Sequence, residues 1–393
     1  MSRTPAVLIL HRPTDASIEA PLRALTVAAH RYHLAAVLMA AGSTSVSPGI
    51  ADDVVAVGAV QNHAAMFAHF QQINERYQIH RIFTFDDTLT LAAAYFREEL
   101  NIPGLRPNQV IGYRDRERMY AMIRQLGLPG CHLPETVLLD QFAGVRDLLT
   151  THGKIIVKPH RWDPLRPSVI LSTPAQLAHQ WHFLGEHRTK YRAEAFIRGT
   201  KYSIDTLVQK NAIVCDMLFE YQYGMINHHY EVRGMLSRQH HLRPIEQTLL
   251  TRHRLLLQHL AFPPVTHAEY LCTPSGKLYF VEISARFGSG PTLAAMHMAT
   301  GLDLAYEWAV GELDPTCRTT VSERREVIAQ RLPPHGTCRV DDSTYLHLPN
   351  NIVVGPQSGQ TLSSALLLGD SYDGQRPRYC VMPHRTRPVG IVP

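Results

Sequence analysis

Apolar and polar positions alternate in blocks along the first hundred residues. Ala6–Leu10 (AVLIL), Leu34–Met39, Val54–Val57 and Ile82–Phe85 are short apolar runs and predict buried strands. Ile18–Arg31, His63–Tyr77 and Thr88–Leu100 carry apolar residues at helical spacing between and after them. This alternation predicts a parallel sheet with crossover helices. Ligands in such sheets bind beyond the carboxyl ends of the strands. Phe85-Asp86-Asp87 lies at such an end. Its aspartates suit either a substrate contact or the N-cap of the following helix, and capping is the simpler expectation.

The texture then changes. Asn101–Asn108 (NIPGLRPN) is punctuated by Pro and Gly and reads as a linker. Asp115–Leu126 predicts a helix, ended by Gly127-Leu128-Pro129. Strands are predicted at Lys154–Lys158, Ala193–Ile197, Tyr202–Val208, Ala212–Tyr221, His267–Leu271 and Leu278–Ile283, with few helices among them. That is an α+β texture following an α/β one. From about Val321 the pattern weakens, and Leu332–Pro393 is rich in Pro, Gly and Arg, with Leu362–Leu368 as one apolar island. The predicted units are an N-terminal domain at 1–108, a second domain at 109–320 and a C-terminal region at 321–393.

Composition narrows the classes. With 393 residues and 45% apolar content, the chain suits two or three globular domains. No stretch approaches the roughly 18 apolar residues of a membrane helix, and Met1–Leu10 lacks a cleavage-like pattern. No membrane association and a cytoplasmic location are therefore expected. The net charge of +5 is spread thinly, so no nucleic-acid partner is expected. Six cysteines sit far apart and predict reduced thiols rather than structural zinc. The adjacent pairs His228–His229 and His240–His241 would point to opposite faces of a strand and make poor metal pairs. His11-Arg12-Pro13-Thr14 follows the first strand where a dinucleotide fingerprint would stand, and no Walker loop occurs.

The sharpest chemistry is Thr266–Gly290, THAEYLCTPSGKLYFVEISARFGSG. Two strand-like segments joined by Thr-Pro-Ser-Gly predict a hairpin. Each carries one carboxylate, Glu269 and Glu282, in an apolar setting that disfavours a bare charge. Side by side they suit a hard cation such as Mg²⁺; the bland alternative is an edge hairpin with solvated glutamates. Arg286, Gly288 and Gly290 follow, and an arginine there suits a phosphoryl group or an oxyanion. Lys158 ends an apolar strand, and Glu194 opens AEAFIRG, a strand suited to an adenine edge; a solvated lysine at a strand end and an exposed strand charge are the simpler alternatives for each alone.

In order and spacing, IPGLRPN, DRERMYAMIRQLGLP, KIIVKP, EAFIRGTKYSID, HAEYL, YFVEISARFGSG and MATGLDL resemble the ATP-grasp superfamily. The likeness runs from about Asp86 to Ala309 and is nearest to carboxylate–amine ligases of the L-amino-acid ligase type. It implies a pre-ATP-grasp parallel-sheet domain, then a lid subdomain within 109–200 and a larger subdomain at 201–320, with ATP between the last two. It implies ATP and Mg²⁺ as cofactors, with Mn²⁺ as a substitute. Arg116 and Lys158 would contact phosphates, Glu194 would take the adenosine side, and Ala195, Phe196 and Ile197 would touch adenine. Glu269, Glu282 and Ser284 would stand on the metal side, and Arg286 would stabilise an acyl-phosphate and a tetrahedral intermediate. Arg233, Arg238 and Gly288 fall on the substrate side. Homodimers are common among similar ligases.

Three departures from the family pattern stand out. Ser284 replaces a frequent Asn, the loop HRWDPLRPS after Lys158 has no glycine, and Lys201 stands where a ribose-binding carboxylate is common. Arg161 and Arg166 would supply charge in place of loop amides or bind an acidic substrate. The resemblance implies ATP-dependent joining of a small carboxylate and an amine, releasing ADP and phosphate. Two alternatives remain open at this level. One is an ATP-grasp enzyme acting on bicarbonate or another small acid. The other is an inactive ATP-binding protein.

Overall fold

The computed structural model describes residues 3–12, 19–41, 47–58, 63–161, 168–226, 229–238, 242–288 and 292–321, and the strands at 327–332, 346–348, 352–354, 365–367 and 378–383. Its first block follows the predicted alternation. β1 (Thr4–His11), α1 (Glu19–Arg31), β2 (Ala35–Ala41), β3 (Asp53–Val57), α2 (His63–Arg76), β4 (Tyr77–Thr84) and α3 (Thr90–Glu99) succeed one another. The strands make a parallel sheet in the order β3-β2-β1-β4. β4 starts at Tyr77, earlier than the predicted Ile82. Polar His80 and Arg81 interrupt its apolar run, yet β1 pairs along it from Thr4↔Tyr77 onward.

After the linker come α4 (Pro107–Arg114) and α5 (Arg116–Leu126). Asp115 caps α5 by accepting from the amides of Glu117 and Arg118, and Gly127 ends it with φ 57°. Met119, Tyr120 and Ile123 bury one face of α5 against Ile204, Leu218, Phe280 and Ile283. β5 (Cys131–His132) follows. β6 (Thr136–Leu138), α6 (Phe142–His152), β7 (Ile155–Pro159), β8 (Val169–Leu171), α7 (Pro174–Leu184) and β9 (Tyr191–Ala195) then build a small antiparallel sheet, ordered β6-β9-β7-β8. Its own core holds Val145, Leu148, Ile155, Leu177 and Ala193. β9 lies two residues earlier than the predicted Ala193–Ile197, because Tyr191 and Arg192 pair with Pro159 and Lys158.

The remainder forms β10 (Thr200–Gln209), β11 (Ala212–Ile226), β12 (His229–Arg238), α8 (Pro244–His259), β13 (Val265–Cys272), β14 (Leu278–Ser284), α9 (Thr292–Thr300) and α10 (Leu304–Leu313). β15 (Val327–Leu332), β16 (Leu346–Leu348), β17 (Ile352–Val354), β18 (Ala365–Leu367) and β19 (Arg378–Pro383) complete the described elements. One sheet runs β16-β17-β18-β19-β15-β12-β11-β10-β13-β14-β5. Strands from the weakly patterned C-terminal region thus extend the central sheet.

Helices are more frequent than the strand-rich texture predicted. α8 buries Leu249, Leu250, His253, Leu256 and Leu257, a helical stripe masked by intervening polar residues. α9 and α10 are apolar on most sides because they sit inside a shared core, so no polar face announces them. That core joins the parallel sheet to the large one. Trp308 meets Phe83, Phe85 and Phe287 edge-on at 5.0, 5.6 and 6.0 Å. The contact fixes the carboxyl end of β4 beside the large sheet. Among the described residues the cysteines are free, and no helix is long and apolar enough to cross a membrane.

Candidate active site

Strand register builds the centre. β13 and β14 place Glu269 opposite Glu282 and His267 opposite Ser284. β10 places Ser203 opposite Glu269 and Asp205 opposite His267. Residues two apart share a face, so Lys201, Ser203 and Asp205 line up beside Leu271, Glu269 and His267. Lys201 Nζ lies 2.7 Å from Glu269 Oε1, and His267 Nε2 lies 3.5 Å from the same oxygen. Burial pushes the Glu269 carboxyl up, but the Lys201 charge and His267 override it and hold it well below the usual carboxylate range. Burial likewise lowers His267, yet Asp205 at 2.9 Å raises the imidazole to about 9. Glu282 faces Arg116 Nη2 at 2.6 Å; burial opposes its ionisation and Arg116 favours it, with a lowered pKa as the result.

The small sheet contributes from the other side. Lys158 on β7 donates to Glu194 Oε2 on β9 at 2.8 Å. The second Glu194 oxygen lies 3.0 Å from Nε of Arg192, which is fully buried. Arg192 also pairs with Glu117 at 2.8 Å and stacks 3.9 Å over Tyr120. Arg116 donates from Nη1 to the Pro159 carbonyl at 2.9 Å, so one guanidinium ties the end of β7 to Glu282.

A recess beside this centre is lined by Asp87, Tyr113, Arg114, Arg116, Met119, Glu282, Ser284 and Arg286. Asp87 forms an ion pair with Arg114 and lies 3.8 Å from Arg286 Nε. Burial, then Arg286, lowers the Arg114 pKa to about 10. Asp86 has a different role. Its side chain accepts from Thr88 N at 2.7 Å as an N-cap and pairs with Arg12 at 2.8 Å. Asp86 thus meets the capping expectation, while Asp87 faces the recess.

Arg116, Lys158, Glu194, Glu269, Glu282, Ser284 and Arg286 are thus brought around one centre. Ala195 ends β9, and Phe196 and Ile197 lie beyond it, half-buried. The amides of Ala195 and Phe196 donate to the carbonyls of Glu135 and Lys154. Gly288 donates its amide to Asp205 Oδ1 at 2.5 Å, so the close approach there is made to protein. Arg233 and Arg238 lie on β12, opposite β11, with side chains outside the described residues. Of the arginines after Lys158, Arg161 pairs with Asp115 at 3.5 Å, and Arg166 falls outside the described residues.

Sequence reasoning missed Arg114, Arg192 and the Asp205–His267 pair. Two-residue spacing was the available signal: it puts His267 on the face of Glu269 and Arg192 on the face of Glu194, whereas Asp205 joins His267 only through the register of β10 and β13.

Glu269, Glu282 and the Ser284 hydroxyl are hard oxygen donors and fit one Mg²⁺. One oxygen of each carboxylate already faces a protein cation. Among the described residues no cluster of three or more His, Cys, Asp or Glu arranged to hold a metal ion occurs.

No protein-family model and no curated protein matches the chain. Solved structures do. The L-amino acid ligase from Bacillus licheniformis superposes with a TM-score of 0.70 at 16% identity, over 98% of this chain and 94% of that one. The phosphoribosylglycinamide synthetase from Anaerococcus prevotii gives 0.67 at 14%, over 98% and 95%. The biotin carboxylase domain of Hydrogenobacter thermophilus 2-oxoglutarate carboxylase, in complex with MgADP, ADP and bicarbonate, gives 0.68 at 14%, over 98% and 86%. Likeness at such identity reaches the architecture and not the substrates, and the architecture these proteins share with this chain is the ATP-grasp fold.

Proposed function

We propose that the protein is an ATP-dependent carboxylate–amine ligase that forms an amide through an acyl-phosphate and releases ADP and phosphate. The observation that carries this reading is the convergence of Lys158 from the small sheet and Arg116 from the start of α5 with Glu282 and Ser284 of the large sheet and Arg286 just beyond it. In this reading the nucleotide lies between the small sheet, acting as the lid, and the large sheet. Lys158 and Arg116 orient the phosphates and offset their charge; Glu194 and residues 195–197 border the adenosine. Glu269 and Glu282 would hold Mg²⁺, or Mn²⁺ in its place, which when bound screens phosphate charge.

The donor carboxylate attacks the γ-phosphate, giving acyl-phosphate and ADP, and the amine then displaces phosphate. Arg286 holds the donor carboxylate and the oxyanion that forms during displacement. Positioning and electrostatics suffice for these steps, without a covalent nucleophile. The units proposed are 1–108, 109–320 with the lid inside 109–200, and 321–393. A homodimer fits the same reading.

Three guanidinium groups, those of Arg114, Arg116 and Arg286, line one recess. This favours a second reading in which the acid is bicarbonate or another small carboxylic acid. ADP and phosphate release from Mg-ATP, measured with paired amino acids and with a bicarbonate and short-acid series, separates the two. Mass spectrometry of a dehydrated adduct identifies the amide ligase, and Glu282→Ala is the blank. ATP binding without release in any arm overturns both readings in favour of an inactive binder.

A further inference from the structure

Arg286 lies two residues beyond β14, outside the strand ladder that fixes Glu282 and Ser284. Its Nη1 donates to the Phe287 carbonyl at 2.7 Å, while its Nε stands 3.8 Å from Asp87 Oδ1, too far for a hydrogen bond. The Phe287 carbonyl and the Gly288 amide belong to one trans peptide group, which is planar and sends its C=O and N–H in opposite directions. That amide donates to Asp205 Oδ1 at 2.5 Å. Asp205 therefore grips one edge of the peptide and Arg286 the other. Each bond polarises the peptide in the sense that strengthens the second. The Asp205 carboxylate is itself fixed. It is fully buried, it stands on β10 opposite His267, and its Oδ2 is 2.9 Å from His267 Nδ1. Phe287 is buried and meets Trp308 edge-on at 6.0 Å, which holds the residue before the amide. At Gly288 a Cβ would lie 2.8 Å from His267 Nδ1 and 3.0 Å from Asp205 Oδ1, so the short bond depends on the glycine.

We propose that Asp205 is a positioning residue for Arg286: it holds the Phe287–Gly288 peptide so that the carbonyl of that peptide fixes the guanidinium. This deepens the ligase reading and rests on the role given there to Arg286. His267 supports Asp205, and the buried carboxylate acts only through the peptide. Without that anchor Arg286 would still attract a carboxylate, but in many geometries. The loss then falls on turnover and on the donor acid rather than on ATP.

The first measurement needs no substrate. In the nitrogen-resolved arginine side-chain NMR spectrum of the full chain, the Arg286 signal is identified by its absence in Arg286→Lys. It should move in Asp205→Ala and in Gly288→Ala. The second measurement is ADP release from Mg-ATP, driven by whichever acid gives the highest rate in the amino-acid and bicarbonate series. Asp205→Ala should lower kcat about a hundredfold and leave the KM for ATP within about twofold. Asp205→Asn should recover most of that rate, because its amide oxygen still accepts from Gly288. In an Arg286→Lys background neither Asp205→Ala nor Gly288→Ala should cost more than about threefold, since the fork they serve is gone. Gly288→Ala disturbs the same bond from the other side, so it decides the matter where Asp205→Ala folds poorly. An unmoved Arg286 signal overturns the proposal, as do equal rate losses with and without Arg286→Lys. The ligase reading fails separately. Absent ADP release with the expected movement of the signal removes the ligase alone, and ADP release with an unmoved signal removes the positioning alone.

Discussion

Two pairs of acids reach the same centre, one from a loop and one from a hairpin. Asp86 and Asp87 are adjacent in sequence at the end of β4, and they diverge: one caps a helix turn and pairs with Arg12, the other enters the recess and pairs with Arg114. Glu269 and Glu282 are far apart in sequence, and sheet register brings them face to face. Adjacency in a turn separates roles, while cross-strand register unites them. Both pairs share one property. Every one of these carboxylates has a cationic partner, as do Glu194 with Lys158 and Asp205 with His267. The recess still carries three arginines against two carboxylates, Asp87 and Glu282, which leaves it net positive and suited to an anionic ligand.

The largest expected break falls on the hairpin side. Glu282→Ala or Arg286→Ala should lower ADP release by about a thousandfold, with an unchanged far-UV circular dichroism spectrum. A near-normal rate in either would end its role in the proposed chemistry. On the loop side, Asp87→Ala leaves Arg114 buried without its carboxylate and should cost about 3 kcal/mol in urea unfolding. Gly288→Ala should cost about 2 kcal/mol by the same measurement. A Cβ there would lie 2.8 Å from His267 Nδ1 and 3.0 Å from Asp205 Oδ1.

A smaller effect depends on pH. Burial lowers His253 to about 3, where it bridges Thr206 and Tyr270 as a neutral ring. Its unfolded pKa is about 6.5. The unfolded chain therefore takes the proton first, so this contribution is complete above about pH 6.5 and is lost as pH falls toward 3. Stability should drop by up to about 1.4 kcal/mol per unit across that window, and a shallower slope is expected in His253→Asn. The smallest effect is Asp86→Ala, about 1 kcal/mol, the worth of a helix cap. If Asp86→Ala costs more than Asp87→Ala, the division between the two neighbours is wrong.

Much of the architecture was legible because apolar blocks report burial directly. β1 and β2 read plainly, since both faces are covered. The hairpin was legible from its turn and its two glutamates. α9 and α10 were not, because a helix sunk in a core shows no polar stripe. The site was legible in its single residues and not in its pairs. Lys201 stood out as a departure from the family pattern, but that it would face Glu269 depends on the offset between β10 and β13. Arg192 was not singled out in the sequence, and it is fully buried. One partner, Glu194, is two residues along the same strand, and the other, Glu117, comes from α5.

The short strand β5 pairs in parallel with β14 through Leu278↔Cys131 and Tyr279↔His132, just before the chain enters the small sheet. The return crossing is at Gly199, whose Cβ position is closed by the Cys272 carbonyl. Both crossings are thus riveted to the hairpin that carries Glu269 and Glu282. The small sheet is attached like a page to a spine, and any swing about that line would first have to break the Arg116 bond to the Pro159 carbonyl and the Arg192–Glu117 pair.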